Sequence, residues 1–307
     1  MNFFTTLSTV AVMLLYAVPG FILMKTKAVN EEAIRAISKI MLFVCQPCFS
    51  VYAFIQLDFS WSFLIQVLIF MAVVIVVQLA IILIFALIHK KRFDEAKNRI
   101  CVIASAFGNC VFFGAPVLEA LLPHFPEAIA FANAYAVAMN LLGWTVGSAI
   151  ITKDKKYINF KKVIFNPGTI GLLCAIVLYV LKIDFTANIQ GSLSLLGRMT
   201  TPLSMMVLGM RLATVRIKPI FATPLFYATV LFKQMVLPLI GGFVFSLLPF
   251  FTGDVRTTAF ILFACPVASI VLNFAELLGD GQEAAADLFL LGTLSSIVTM
   301  PTILLLL

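Results

Sequence analysis

From Trp61 to Ile88 the sequence runs for 28 residues without a charged side chain. As a helix this stretch would be about 42 Å long, more than the roughly 30 Å hydrocarbon core of a bilayer. In lipid no water satisfies the backbone, so a chain carrying such a segment is confined to helices or a closed barrel. Nine more apolar segments accompany it, at about residues 4–24, 33–55, 101–122, 128–151, 163–180, 189–212, 220–248, 257–278 and 284–307. Their length is that of helices, so the expected fold is an all-α membrane protein of ten transmembrane helices.

Composition excludes the alternatives. Of the 307 residues, 62% are hydrophobic and only 11% charged, with a mean hydropathy of +1.10, whereas soluble domains carry about 25% charged residues. The formal net charge of +7 points to topology rather than to nucleic acid, because the basic residues sit between apolar segments instead of on one water-facing patch. Most of the 21 basic residues fall in or beside alternate loops, around Lys25 and Arg35, Lys90 to Arg99, Lys153 to Lys162, and Arg211 to Lys218. The positive-inside rule makes these loops cytoplasmic and both termini extracytoplasmic, in a multi-pass protein of the cell inner (plasma) membrane. The six cysteines lie almost wholly in apolar sequence, so C-Q-P-C at 45–48 reads as buried packing rather than a redox or metal motif. Asn30 is the expected N-cap of the second segment.

Two segments are interrupted. Residues 108–116 read G-N-C-V-F-F-G-A-P, placing Asn109 at lipid depth, and residues 264–269 read A-C-P-V-A-S. Proline lacks an N–H and clashes with the preceding turn, so breaks are expected at Pro116, beside Gly114, and at Pro266. Broken spans in corresponding halves point to a transporter's midplane site. Ten segments divide as five plus five, and an odd number per half inverts the second relative to the first. The halves are residues 1–152 and 153–307. The spacing agrees: Pro47 precedes Pro116 by 69 residues and Pro202 precedes Pro266 by 64.

The expected substrate site is the crossover of segments four and nine. Half-helix N-termini there offer unpaired N–H groups to a carboxylate. Asn109, whose amide both donates and accepts, leads the candidates. Phe113, Gly114, Pro116, Cys265, Pro266 and Ser269 join it by position. Gln46 and Thr201 each precede a proline that frees a carbonyl, and Asn140 is a polar group in apolar sequence. Arg198 and Lys233 are intramembrane cations, functional candidates by default and suited to an anionic substrate. The bland alternatives are kinked helices, helix-to-helix amide bonding and interfacial placement. No phosphate-binding glycine loop is present, and no catalytic cluster, cofactor or metal site is expected, so transport is secondary and the protein is not an enzyme.

The motif G-N-C-V-F-F-G-A-P-V at 108–117, with N-P-G-T-I at 166–170, A-C-P-V-A-S at 264–269 and L-G-T-L-S-S-I-V-T-M-P at 291–301, resembles the auxin efflux carrier family, in particular its bacterial malonate and malate transporter-like members. The resemblance covers nearly all of the chain. It implies two inverted five-helix repeats with crossed broken helices four and nine, a scaffold of segments one, two, six and seven, a homodimer, and an elevator-type alternating-access mechanism that moves a small organic anion, a mono- or dicarboxylate. Cys110, Val111 and Phe112 stand where related motifs are smaller or more polar, which leaves auxin itself unsupported as substrate. Proton or sodium coupling stays open. The competing readings are a sodium- or proton-coupled symporter of the bile-acid or antiporter type, which paired carboxylates at the crossover would favour, and a non-transporting membrane receptor.

Overall fold

The computed structural model describes residues 3–183, 185–214 and 223–307. The start of the eighth apolar segment, with Arg216 and Lys218, lies outside the described residues. Among the described residues, seven helical spans are long and apolar enough to cross a membrane: α1 (Phe3–Lys25), α2 (Glu31–Ile55), α3 (Trp61–Ile88), α6 (Ala128–Thr152), α7 (Lys155–Val180), α10 (Pro224–Ser246) and α13 (Gln282–Leu306). Between them run α4 (Ala96–Ala104), α5 (Cys110–Leu121), α8 (Ala187–Arg198), α9 (Thr200–Thr214), α11 (Gly253–Ala264) and α12 (Ser269–Leu278). The protein is an all-α, multi-span membrane protein. Val76, Leu87 and Ile88 of α3 are exposed apolar side chains of the kind lipid covers.

Polar residues start the helices where the sequence places them. The side chain of Asn30 accepts from the Glu32 N–H at 3.1 Å, that of Ser60 from the Phe63 N–H, and that of Thr252 from the Val255 N–H. Prolines inside the spans do not end them. Pro47, Pro116 and Pro238 each follow a five-residue π-helical turn, at Met41–Cys45, Cys110–Gly114 and Phe232–Val236. The widened turn accommodates the ring and the missing N–H. Pro202 sits in the first turn of α9, where no hydrogen-bond donor is needed.

Two faces of the molecule are tied at the loops. On the face that holds the chain ends, Tyr179 donates to the Asp58 carbonyl at 2.8 Å and accepts the Ser60 N–H, while His124 meets Asp254 at 3.2 Å. The opposite face carries the basic loops. There Arg99, at 5% side-chain exposure, donates to the carbonyls of Phe93, Asp94 and Ile151 and pairs with Asp280 at 2.5 Å. Lys153, 2.6 Å from Asp94, holds that carboxyl below the usual carboxylate range.

Helix packing sorts the spans into two groups. In the first, Gly209 of α9 lies against the Ala17 backbone of α1, Gly171 of α7 against Pro47 of α2, and Gly197 of α8 against Phe49 of α2. Glycine permits this backbone-to-backbone approach, the usual device between membrane helices. In the second, alanine-rich α6 is buried along most of its length; Phe131 packs on Phe70 of α3 at 4.9 Å, and Gly241 and Gly242 of α10 receive the rings of Phe263 and Phe260 of α11. The groups meet at a few places, among them a Ser50 hydroxyl donating to Asn133 Oδ1 at 2.7 Å.

Candidate functional site

The helices α4 and α11 both stop in the interior, and both chains then run extended before resuming as α5 and α12. Gly108 and Val267 pair as an antiparallel bridge. The Asn109 N–H donates to the Pro266 carbonyl at 2.8 Å, and the Ala268 N–H donates to the Phe107 carbonyl at 3.1 Å. Each interruption thus satisfies backbone groups that the other leaves free, the condition for irregular backbone at membrane depth. Pro266 fits because its carbonyl is used and no N–H is required of it.

This crossing corrects the expected position of the first break. The helix continues through Gly114 and Pro116, and the interruption lies at residues 105–109, about two turns earlier. The physical cause is visible at Gly108. A Cβ there would lie 2.9 Å from Lys233 Nζ and 3.2 Å from the Leu262 carbonyl oxygen, so a side chain at this position would crowd the lysine and the end of α11. A proline marks the break in α11–α12, whereas a glycine and a neighbouring lysine mark it in α4–α5. The crossover is therefore one of Gly108–Asn109 with Pro266–Val267, not of Pro116 with Pro266.

Lys233, from the π-helical turn of α10, is fully buried, and its ammonium donates to the carbonyls of Phe263 and Cys265 at 2.8 and 2.9 Å. These are carbonyls at the C-terminal end of α11, where the helix dipole is negative. Its neighbour Gln234 anchors the same turn to α13: Nε2 donates to the Gly292 carbonyl, and Oε1 accepts from Ser295 and Thr299. Gly292 in turn lies against Val267. Asn109 lies beside this centre at 5% exposure, and its side chain makes no hydrogen bond among the described residues.

Two clefts flank the crossing, both between the same groups of helices. On the face of the chain ends, a cavity of about 710 Å³ is lined by Ser8, Thr9 and Met13 of α1, Phe49 of α2, Pro116 and Glu119 of α5, Arg198 of α8, and Thr201 and Pro202 of α9. On the basic face, a cavity of about 730 Å³ is lined by Glu31 and Arg35 of α2, Arg211 of α9, Asn273 and Glu276 of α12, and Gln282 and Glu283 of α13. Arg211 Nη1 meets Glu276 Oε1 across it at 2.8 Å.

The sequence candidates fall in three places. Asn109, Cys265, Pro266 and Lys233 meet at the crossing, with Phe113 and Gly114 on the first turn of α5 and Ser269 opening α12; at Gly114 a Cβ would lie 2.8 Å from Cys265 Sγ. Pro116, Thr201 and Arg198 line the cleft on the terminal face instead. Gln46 and Asn140 belong to neither: Gln46 Nε2 packs on Gly168, and Asn140 Nδ2 approaches Asn166 Oδ1 at 3.5 Å while its own Oδ1 has no partner among the described residues. Sequence reasoning did not single out Gly108, Gln234 or Arg211. Gly108 was legible as the glycine beside Asn109; the other two gave no signal, because their partners are 58 to 65 residues away in sequence.

A multi-span helical protein whose two interrupted helices cross between opposed clefts has the construction of a membrane transporter. A family model described as a membrane transport protein matches residues 5–304, nearly the whole chain. The chain belongs to that family, the auxin efflux carriers, and moves a solute across the membrane. No curated protein matches the chain.

Proposed function

We propose that the protein is a secondary transporter of a small organic anion, a mono- or dicarboxylate, working by elevator-type alternating access. The observation that carries this reading is Asn109 at the crossing, 5% exposed and making no side-chain hydrogen bond among the described residues, next to the N-terminal turn of α5 and to Gly108, which the Lys233 ammonium approaches. A carboxylate entering there would meet a donor amide and the positive end of a half-helix. Arg198 adds a cation on the wall of one approach. The full architecture proposed is ten transmembrane segments in two inverted repeats, 1–152 and 153–307, with α1, α2, α7 and α8–α9 as scaffold. The assembly is proposed as a homodimer in the plasma membrane, with both termini extracytoplasmic.

The sodium-coupled alternative is less well supported. A sodium ion at such a crossing needs oxygen ligands, and carbonyls that would serve, those of Phe263 and Cys265, already bind the Lys233 ammonium. Counterflow in proteoliposomes tests the proposal, using malate, malonate, other dicarboxylates and indole-type acids, with and without proton and sodium gradients. Exchange of at least one carboxylate, lost in Asn109→Ala at unchanged expression, is the expected result. Failure of every carboxylate to exchange overturns it.

A further inference from the structure

Two arginines on one helical rod face two carboxylates on the two interrupted helices. Arg198 closes α8 and Arg211 lies in the last turn of α9; 13 residues of helix separate them, an axial distance of about 20 Å. Glu119 lies on α5 and Glu276 on α12, each on the half-helix that leaves the crossing toward its own face. The charges are therefore arranged in the same way at each face, with the cation on the α8–α9 rod and the anion on the crossing helices.

The two pairs differ in state. Arg211 and Glu276 are joined at 2.8 Å across the cleft on the basic face. Arg198 and Glu119 both line the cleft on the opposite face, and no ion pair joins them among the described residues. One face is bridged and the other is not. We propose that these pairs are alternating latches: Arg211–Glu276 ties α9 to α12 across the cleft on the basic face in the state seen here, and Arg198–Glu119 ties α8 to α5 across the other cleft once the crossing helices have moved along α8–α9. The proposal rests on the alternating-access reading above.

The strength of such pairs suits the role. Arg211 is 16% exposed and Glu276 47% exposed at the side chain, so water reaches the pair. A solvent-reachable ion pair shifts an equilibrium by about two- to five-fold, enough to bias two states and weak enough to break in every cycle. Because the moving helices carry both carboxylates, the displacement that parts one pair brings the other together. Removing either carboxylate must then push the two clefts in opposite senses.

Thiol labelling of the full chain in lipid nanodiscs tests this directly. Cys48 and Cys174, the two native cysteines that are not buried, are replaced by alanine. Single reporters Thr201→Cys and Asn273→Cys then read the two clefts through their alkylation rates with a small water-soluble maleimide. Glu276→Gln is expected to raise the Asn273→Cys rate about two- to five-fold and lower the Thr201→Cys rate. Glu119→Gln is expected to lower the Asn273→Cys rate by a similar factor. The exchanged pair Arg211→Glu with Glu276→Arg should return both rates toward the parent, which a merely local packing role would not achieve. Unchanged rates in Glu276→Gln, or both carboxylate variants moving the reporters in the same sense, overturn the latch. Labelling needs no substrate, so the two readings fail separately: reciprocal rates without carboxylate exchange overturn the substrate reading alone, and exchange without reciprocal rates overturns the latch alone.

Discussion

The ammonium of Lys233 lies 2.9 Å from the carbonyl oxygen of Cys265, in the interruption between α11 and α12. A second bond to Phe263 makes this lysine the cap of a buried helix end. Lys233→Met keeps the length of the side chain and removes the donor. The expected loss is about 1–3 kcal/mol per orphaned carbonyl, read as a lower unfolding temperature in detergent, together with loss of transport. A variant as stable as the parent would show that the cap is dispensable.

Gly108 should tolerate no side chain. In Gly108→Ala the new methyl would sit 2.9 Å from Lys233 Nζ and 3.2 Å from the Leu262 carbonyl oxygen. Displacing the Lys233 ammonium from its carbonyls is expected to cost about 1–3 kcal/mol and to abolish counterflow. Gly253→Ala, where nothing lies within 4 Å, serves as the control and should leave both unchanged.

Asn109 contributes little to stability on this structure, since its side chain makes no hydrogen bond there among the described residues. Asn109→Ala is expected to keep the parent's stability within about 1 kcal/mol and to lose the stabilisation that a bound carboxylate gives the parent. A thermal-shift titration with malate or malonate separates the two effects. A large loss of stability without ligand would make Asn109 a structural residue.

Helix α1 meets α9 through backbone, with Gly209 against Ala17 and Gly20 against Met206. Gly209→Val forces the helices apart and should destabilise the protein by about 3 kcal/mol, or prevent folding. Monodisperse, transport-competent protein from this variant would contradict the packing described.

Arg99 supports the basic face. Arg99→Ala leaves the carbonyls of Phe93, Asp94 and Ile151 without their donor and Asp280 without its cation. A loss of about 3 kcal/mol is expected, against about 1 kcal/mol for Asp280→Asn, whose side chain is 41% exposed. Unfolding temperatures of the two variants give the comparison.

Residue order by itself determined the membrane class, because a run such as Trp61–Ile88 has only one solvent that suits it. It determined the capped helix start at Asn30, where a side-chain oxygen reaches an N–H two residues on. It also indicated that residues 101–122 and 257–278 are interrupted, since proline, glycine and a polar amide at lipid depth are local facts. Tertiary structure decided where the interruption falls and what it touches. Whether a proline breaks a helix depends on whether the preceding turn can widen, and at Pro116 it does. Whether a glycine breaks one depends on what approaches it, and Gly108 is approached by a lysine from a helix over a hundred residues away. Charges such as Arg211 and Glu276 acquire their relation only when the packed helices bring them within reach, because a side chain in isolation carries no record of its partner.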